Sequence, residues 1–114
     1  MDPSSLKPAL QEVRRSLELL YGARLVRVVL FGSRARGSGA AHSDVDILIV
    51  EKDPFTQTRS RWKEISQLWD IVANFRIPVD ILLYSQDEIE KWRNIKQHVI
   101  STALSEGVLL YERN

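Results

Sequence analysis

Residues 25–50 of the sequence read LVRVVLFGSRARGSGAAHSDVDILIV, and this stretch decides the fold. Its two ends, residues 25–31 and 45–50, are rich in β-branched and apolar side chains, which is typical of buried β-strands. The segment between them is small, polar and glycine-bearing, and so predicts a loop. A loop of roughly a dozen residues allows either an antiparallel pair or a crossover through a short helical turn, and the sequence leaves both open.

Helical periodicity appears on both sides of this stretch. Residues 4–21 predict a helix that ends at Gly22. Residues 57–75 predict a second helix, which Pro78 cannot continue. Each helix carries an apolar stripe at spacings of three and four, which we assign to the core: Leu6, Leu10, Val13, Leu17 and Leu20 in the first, and Trp62, Ile65, Trp69, Val72 and Phe75 in the second.

The end of the chain repeats the alternation of strand and helix. Residues 79–84 predict a third strand, and Ser85 and Glu88 form a capping box that opens a third helix ending at Gly107. Residues 108–111 suffice for a last strand. We therefore predict an α+β (mixed α/β) fold in the order α-β-β-α-β-α-β. Its mixed sheet of about four strands would pack against helices in a single domain, residues 1–114.

Composition excludes several classes of function. The 114 residues hold no cysteine and two histidines, which excludes disulfides, thiolate nucleophiles and His-rich metal sites. The net charge is +1, with seven Lys/Arg against three Asp/Glu in residues 1–43 and nine against twelve in residues 44–114. We therefore expect no direct nucleic-acid binding. The sequence shows neither an apolar segment long enough to span a bilayer nor the pattern of a signal peptide. We therefore expect no membrane contact and a cytoplasmic location.

Three aspartates suggest a metal site. Asp44 and Asp46 open the second strand and point to one face, where two carboxylates repel each other unless a cation lies between them. Asp80 lies in an otherwise apolar strand, where an unpaired charge is costly. If the third strand adjoins the second, three carboxylates converge and could hold two Mg²⁺ or Mn²⁺ ions, an arrangement used for in-line phosphoryl or nucleotidyl transfer. The alternatives are a turn role for Asp44 and local ion pairs for the other two.

The loop before these aspartates suits a phosphate. Gly32 lets the backbone approach a phosphate closely, Ser33 offers a hydroxyl and an amide, and Arg34 and Arg36 can neutralise charge. The same residues would also suit a plain solvated loop. We expect Glu51 and Asp53 to be solvated at the end of the second strand. We expect Arg59, Arg61 and Lys63 to lie on a solvated helix surface.

These motifs together resemble the signature of the minimal nucleotidyltransferases, in the DNA polymerase β-like nucleotidyltransferase superfamily. The resemblance rests on LFGSRARG at residues 30–37, HSDVDIL at 42–48, PVDIL at 78–82 and the tail EGVLLY at 106–111. It implies that Gly32, Ser33 and Arg36 bind a nucleoside triphosphate such as ATP. It also implies that Asp44, Asp46 and Asp80 bind two Mg²⁺ ions, and that Asp80 helps to activate the attacking hydroxyl.

The resemblance also implies a partner. Small members of the family pair with HEPN-type proteins as antitoxins, and some transfer AMP to the HEPN toxin. The short chain leaves little to grip an acceptor, so we expect the partner or a second copy to complete the site. The alternative is a non-catalytic nucleotide-binding module that neutralises a HEPN-type partner by contact, with residues 6–20 and the tryptophans Trp62, Trp69 and Trp92 as the interface. A small-molecule nucleotidyltransferase is a third, weaker candidate.

Overall fold

The computed structural model describes residues 3–31, 45–57, 59–73, 79–95 and 98–112. The helices are α1 (Pro3–Tyr21), α2 (Arg61–Val72), α3 (Gln86–Trp92) and α4 (Val99–Glu106), and a short 3₁₀ turn follows α1 at Gly22–Arg24. The strands are β1 (Leu25–Phe31), β2 (Val45–Glu51), β3 (Val79–Ser85) and β4 (Val108–Glu112). No helix of these described segments is long and apolar enough to cross a bilayer.

The four strands form one mixed sheet in the order β3-β2-β1-β4. Strand β1 lies antiparallel to both β2 and β4, whereas β2 and β3 are parallel. The predicted α+β class and four-stranded mixed sheet are confirmed, and the open choice for the first two strands is decided in favour of an antiparallel pair. Parallel strands need a long connection, and α2 lies in the connection between β2 and β3.

Both faces of the sheet are covered, because side chains of a strand alternate between faces. One core cluster joins α1 and α2 to the first face, and its members include Leu10, Val13, Leu17, Val28, Ile47, Ile49, Leu68 and Val72. The second cluster joins α3 and α4 to the opposite face through Val29, Leu48, Val50, Ile89, Ile100 and Ala103. Strand β2 therefore reads as a nearly continuous apolar run, as expected for a strand buried on both sides.

Helix α1 ends as the sequence predicts, but its buried apolar stripe ends at Tyr21 rather than at Leu20. Gly22 has φ of 56°, the left-handed conformation that stops a helix. Leu10, Val13 and Leu17 are buried, whereas Leu20 is 40% exposed. Tyr21 is buried instead, four residues after Leu17 and therefore on the same side of the helix.

Helix α2 differs from its prediction in length and in orientation. It spans residues 61–72 rather than 57–75, because the Ser60 side chain accepts a hydrogen bond from the Lys63 amide and caps the helix there. Leu68 and Val72 face the core, whereas Trp62 is 75% exposed and Trp69 44% exposed. The predicted tryptophan stripe is therefore wrong as a core assignment. The predicted position Phe75 lies outside the described residues.

The predicted third helix is in fact two helices. The capping box opens α3 as predicted, with Glu88 Oε1 accepting from the Ser85 amide at 3.0 Å. A turn follows, in which the Ile95 amide bonds to the Trp92 carbonyl and the His98 amide bonds to the Ile95 carbonyl. His98 then starts α4, because its Nδ1 accepts from the Ile100 amide at 3.1 Å.

Candidate active site at the start of β2 and β3

The structure places Asp46 directly opposite Asp80 across the parallel pair of β2 and β3. Asp46 alternates along β2 with Leu48 and Val50, which belong to the core cluster under α3 and α4. Asp80 precedes Leu82 by two residues, and Leu82 packs against that same cluster. Both carboxylates therefore project from one face of the sheet.

The pair lies at an accessible end of the sheet. Asp80 is exposed and Asp46 is half-buried, although the strand residues that follow Asp46 are buried. On its other side Asp46 is paired with Phe31, the last residue of β1. Four predicted site residues, Gly32, Ser33, Arg36 and Asp44, fall in residues 32–44, between β1 and β2, and lie outside the described part of the chain.

The two described carboxylates fit a hard divalent cation. Neighbouring strands lie about 4.8 Å apart, so the oxygens of directly opposite aspartates can reach one ion between them. Carboxylate oxygens are the ligands that Mg²⁺ and Mn²⁺ prefer. Among the described residues no group of three or more His, Cys, Asp or Glu side chains is placed to hold a metal ion. Asp46 and Asp80 contribute two carboxylates on one face of the sheet, and Asp44 remains the predicted third contributor.

A second polar cluster lies at the opposite end of β2, and the sequence did not predict it. Glu51 is fully buried and pairs with Arg59. Arg59 also pairs with Glu64 at 3.0 Å, and the Tyr21 hydroxyl donates to Glu64 Oε1 at 3.3 Å. The expectation that Glu51 and Arg59 are solvated is therefore wrong, because the connection after β2 folds Arg59 back over the strand end.

Burial determines the electrostatics of this cluster. Burial removes Glu51 from water and raises the pKa of its carboxyl group. The hydrogen bond and the positive charge of Arg59 lower this pKa by less, and the negative charge of Glu64 raises it further. Burial also raises the pKa of Tyr21, with the nearby charges of Glu64 and Glu51 acting in the same direction. One guanidinium thus pairs with two carboxylates.

Arg61 is also paired rather than solvated. It forms an ion pair with Glu88 of α3, and its guanidinium lies over the rings of Phe55 and Tyr84, at 4.9 and 5.0 Å from their centroids. Asp53 is half-exposed and lies 3.8 Å from Arg24, whereas Lys63 is exposed, as expected. A fixed, paired Arg61 connects α2 to α3 at the edge of β3.

Comparison with known families identifies the domain. Residues 10–110 match the family model described as Nucleotidyltransferase domain. A Methanocaldococcus jannaschii protein, provisionally named as a protein adenylyltransferase, is 29% identical over 103 residues, covering 90% of this chain and 95% of its own. A second protein of that organism, with the same provisional name, is 35% identical over 75 residues, which cover 66% of this chain and 49% of its own. The chain spans about half the length of that relative.

Solved structures show the same fold. A structure described as a minimal nucleotidyltransferase has 26% identity and a TM-score of 0.55, with 95% of each chain covered. The MNT antitoxin bound to the tri-AMPylated HEPN toxin of Shewanella oneidensis has 16% identity and a TM-score of 0.51, covering 92% of this chain and 73% of that one. With a family match that spans most of its residues and two aspartates opposed on neighbouring strands, this chain belongs to the nucleotidyltransferase domain family and is similar to its minimal members.

Proposed function

We propose that this protein transfers AMP from ATP to a hydroxyl group of a HEPN-type partner protein and thereby acts as its antitoxin. The observation that carries the proposal is the opposition of Asp46 and Asp80 on one face of the sheet. The provisional names of the Methanocaldococcus jannaschii relatives support protein adenylylation, and the Shewanella oneidensis complex supports a HEPN-type partner.

The residues would divide the work as follows. Asp46 and Asp80, with Asp44, would hold Mg²⁺, whose positive charge neutralises phosphate oxygens as charge develops on them. Gly32, Ser33 and Arg36 would hold the triphosphate through backbone amides, a hydroxyl and a guanidinium. Asp80, the more exposed carboxylate, would accept the proton of the attacking hydroxyl.

The reaction is an in-line displacement at the α-phosphorus. A bond forms between the acceptor oxygen and this phosphorus, and the bond from phosphorus to the bridging oxygen of pyrophosphate breaks. The bonding electron pair leaves with pyrophosphate, and the hydroxyl proton passes to Asp80 and then to solvent. Most of the rate enhancement in such a step comes from positioning and charge neutralisation.

Incubation with ATP labelled in its α-phosphate, Mg²⁺ and the HEPN-type protein of the same organism tests the proposal. We expect label on the partner and pyrophosphate in solution, and no label with Asp46→Asn or Asp80→Asn. Mass spectrometry should locate AMP on a hydroxyl side chain. A partner that stays unlabelled while the wild-type chain binds ATP would overturn the proposal.

The exposed tryptophans favour a second candidate, a module that neutralises its partner by contact alone. Trp62 and Trp69 project from α2 instead of filling the core. Under this alternative, the Asp46→Asn variant should bind the partner with wild-type affinity and inhibit it to the same extent as the wild type. Under adenylylation, the same variant binds the partner but no longer silences it.

A further inference from the structure

The outer edge of β3 carries unused strand-pairing capacity. Strand β3 is terminal in the sheet order, and within the described segments no strand pairs with its outer side. It keeps an unbroken seven-residue register with β2, from Val79 to Ser85, and contains neither proline nor lysine. Natural edge strands are usually protected by short length, charged side chains, proline or bulges. The charge of β3 is confined to Asp80 near its start, so the regular and mostly apolar remainder of the edge invites another strand.

The opposite edge of the sheet shows this protection. Strand β4 has five residues, its register with β1 shifts between Val28 and Val29, and its described residues end at the charged Glu112. A short, irregular edge is a poor template for pairing. The difference singles out β3 as the docking edge.

A groove of about 140 Å³ runs along this edge. Trp62 and Ile65 of α2 line one side, and residues 81–84 of β3 line the other. Trp62 is 75% exposed and so presents an apolar wall that no described residue covers. The charged lining residue, Arg61, is already paired with Glu88. The groove is therefore close to neutral and suits an uncharged peptide backbone with apolar side chains better than it suits a polyanion.

The groove leads directly to the candidate active site. Its strand wall begins at Ile81, the residue after Asp80. Strands rise about 3.3 Å per residue. If a strand pairs with residues 81–84, one or two further residues of that strand are therefore enough to reach Asp80. A hydroxyl side chain at that point of an added strand would lie beside the carboxylate pair.

We infer that the β3 edge docks an extended, apolar segment of the acceptor protein as an added strand, which delivers the accepting hydroxyl to Asp80. The inference rests on the proposed function for the transfer step, but the docking itself can be measured separately. Main-chain hydrogen bonds to β3 supply affinity, and the wall formed by Trp62 and Ile65 selects side chains on one face of the added strand.

Hydrogen–deuterium exchange tests the docking. The chain is compared alone and with the HEPN-type protein of the same organism, in the presence of Mg²⁺ and a non-hydrolysable ATP analogue. We expect slower exchange in residues 79–85 when the partner is present. In calorimetry, Trp62→Glu should weaken partner binding at least about tenfold, or about 1.4 kcal/mol, because a tryptophan anchor buried in an interface is a typical hot spot.

The matched control is Trp69→Glu, which changes an exposed tryptophan of the same helix that does not line the groove. It should bind the partner as the wild type does, and both variants should keep wild-type melting temperatures and ATP affinity. Unchanged exchange in residues 79–85, or equal losses of affinity in both variants, would overturn the inference. A self-association that Trp62→Glu abolishes would assign the edge to a second copy and would also overturn it.

Labelled ATP in the same mixtures separates this inference from the proposed function. Protection of residues 79–85 without transfer of label would support the docking edge and refute adenylylation. Transfer of label without protection would support adenylylation and refute the docking edge.

Discussion

Asp46 and Asp80 are opposite partners in the parallel β2–β3 pair and project from the same face of the sheet. Like charges placed directly opposite on neighbouring strands destabilise a sheet. The arrangement therefore works against the stability of the sheet, and a bound cation would relieve the repulsion. This relationship underlies the first prediction.

Asp80→Asn should separate stability from activity. Without divalent cations, we expect the free energy of unfolding of the variant to equal that of the wild type or to exceed it by at most about 1 kcal/mol, because a repulsion is removed. With millimolar Mg²⁺ and ATP, the wild type should gain stability and the variant should not. Transfer of AMP should fall at least about a hundredfold. Thermal unfolding with Mg²⁺ or EDTA checks the first two results, and Glu12→Gln on exposed α1 is the control.

Arg59→Met should be strongly destabilising. It leaves Glu51 buried without its ion-pair partner, which costs about 3 kcal/mol in the free energy of unfolding. The double variant Glu51→Gln with Arg59→Met should recover much of that loss, because no buried charge remains at position 51. Urea unfolding measures both. Arg15→Met, whose ion pair with Glu12 is exposed, should change stability by less than about 1 kcal/mol.

The pH dependence of stability should show the raised pKa of Glu51. A carboxyl whose pKa is higher in the folded state than in the unfolded state binds more protons when folded. Stability from this group is therefore greatest below the unfolded pKa and falls as the pH rises through the folded pKa. We expect the unfolding free energy of the wild type to fall relative to that of Glu51→Gln as the pH rises above about 4.5. A constant difference across that range would contradict the assignment.

Gly107→Ala and Gly22→Ala should differ sharply. A Cβ at Gly107 would lie 2.2 Å from the Ala103 carbonyl oxygen and 2.3 Å from Val29 Cγ1, so α4 and β1 would have to separate. We expect a loss of about 3 kcal/mol from this overpacking. At Gly22 a Cβ meets no atom within 4 Å, and its positive φ should cost only about 1 kcal/mol. Equal losses in chemical unfolding would show that the α4–β1 contact is not tight.

The sequence predicted most of the sheet because strand signals were local. Runs of β-branched and apolar residues and the position of Pro78 were enough to place β1, β2 and β3. The burial cost of a lone carboxylate was enough to single out Asp46 and Asp80. The direction of the β1–β2 pair could not be predicted, because a loop of roughly a dozen residues permits both directions.

The errors came from contacts distant in sequence. Trp62 and Trp69 have helical spacing, but Leu68 and Val72 occupy the side of α2 that meets the sheet, and only the packing decides between the two faces. The pairing of Glu51 with Arg59 depends on how the connection after β2 folds back. The break between α3 and α4 depends on His98, whose ring caps α4 and stacks on Trp92 with centroids 4.8 Å apart. Periodicity carries no signal for such a cap.

The parallel pairing of β2 and β3 has a consequence for biosynthesis. Asp46 and Asp80 reach each other only after the ribosome has released the whole crossover that contains α2 and the strand beyond it. A nascent chain that ends before residue 80 lacks one carboxylate of the pair. The opposed pair thus exists only on a finished crossover, and premature termination within α2 yields fragments without it.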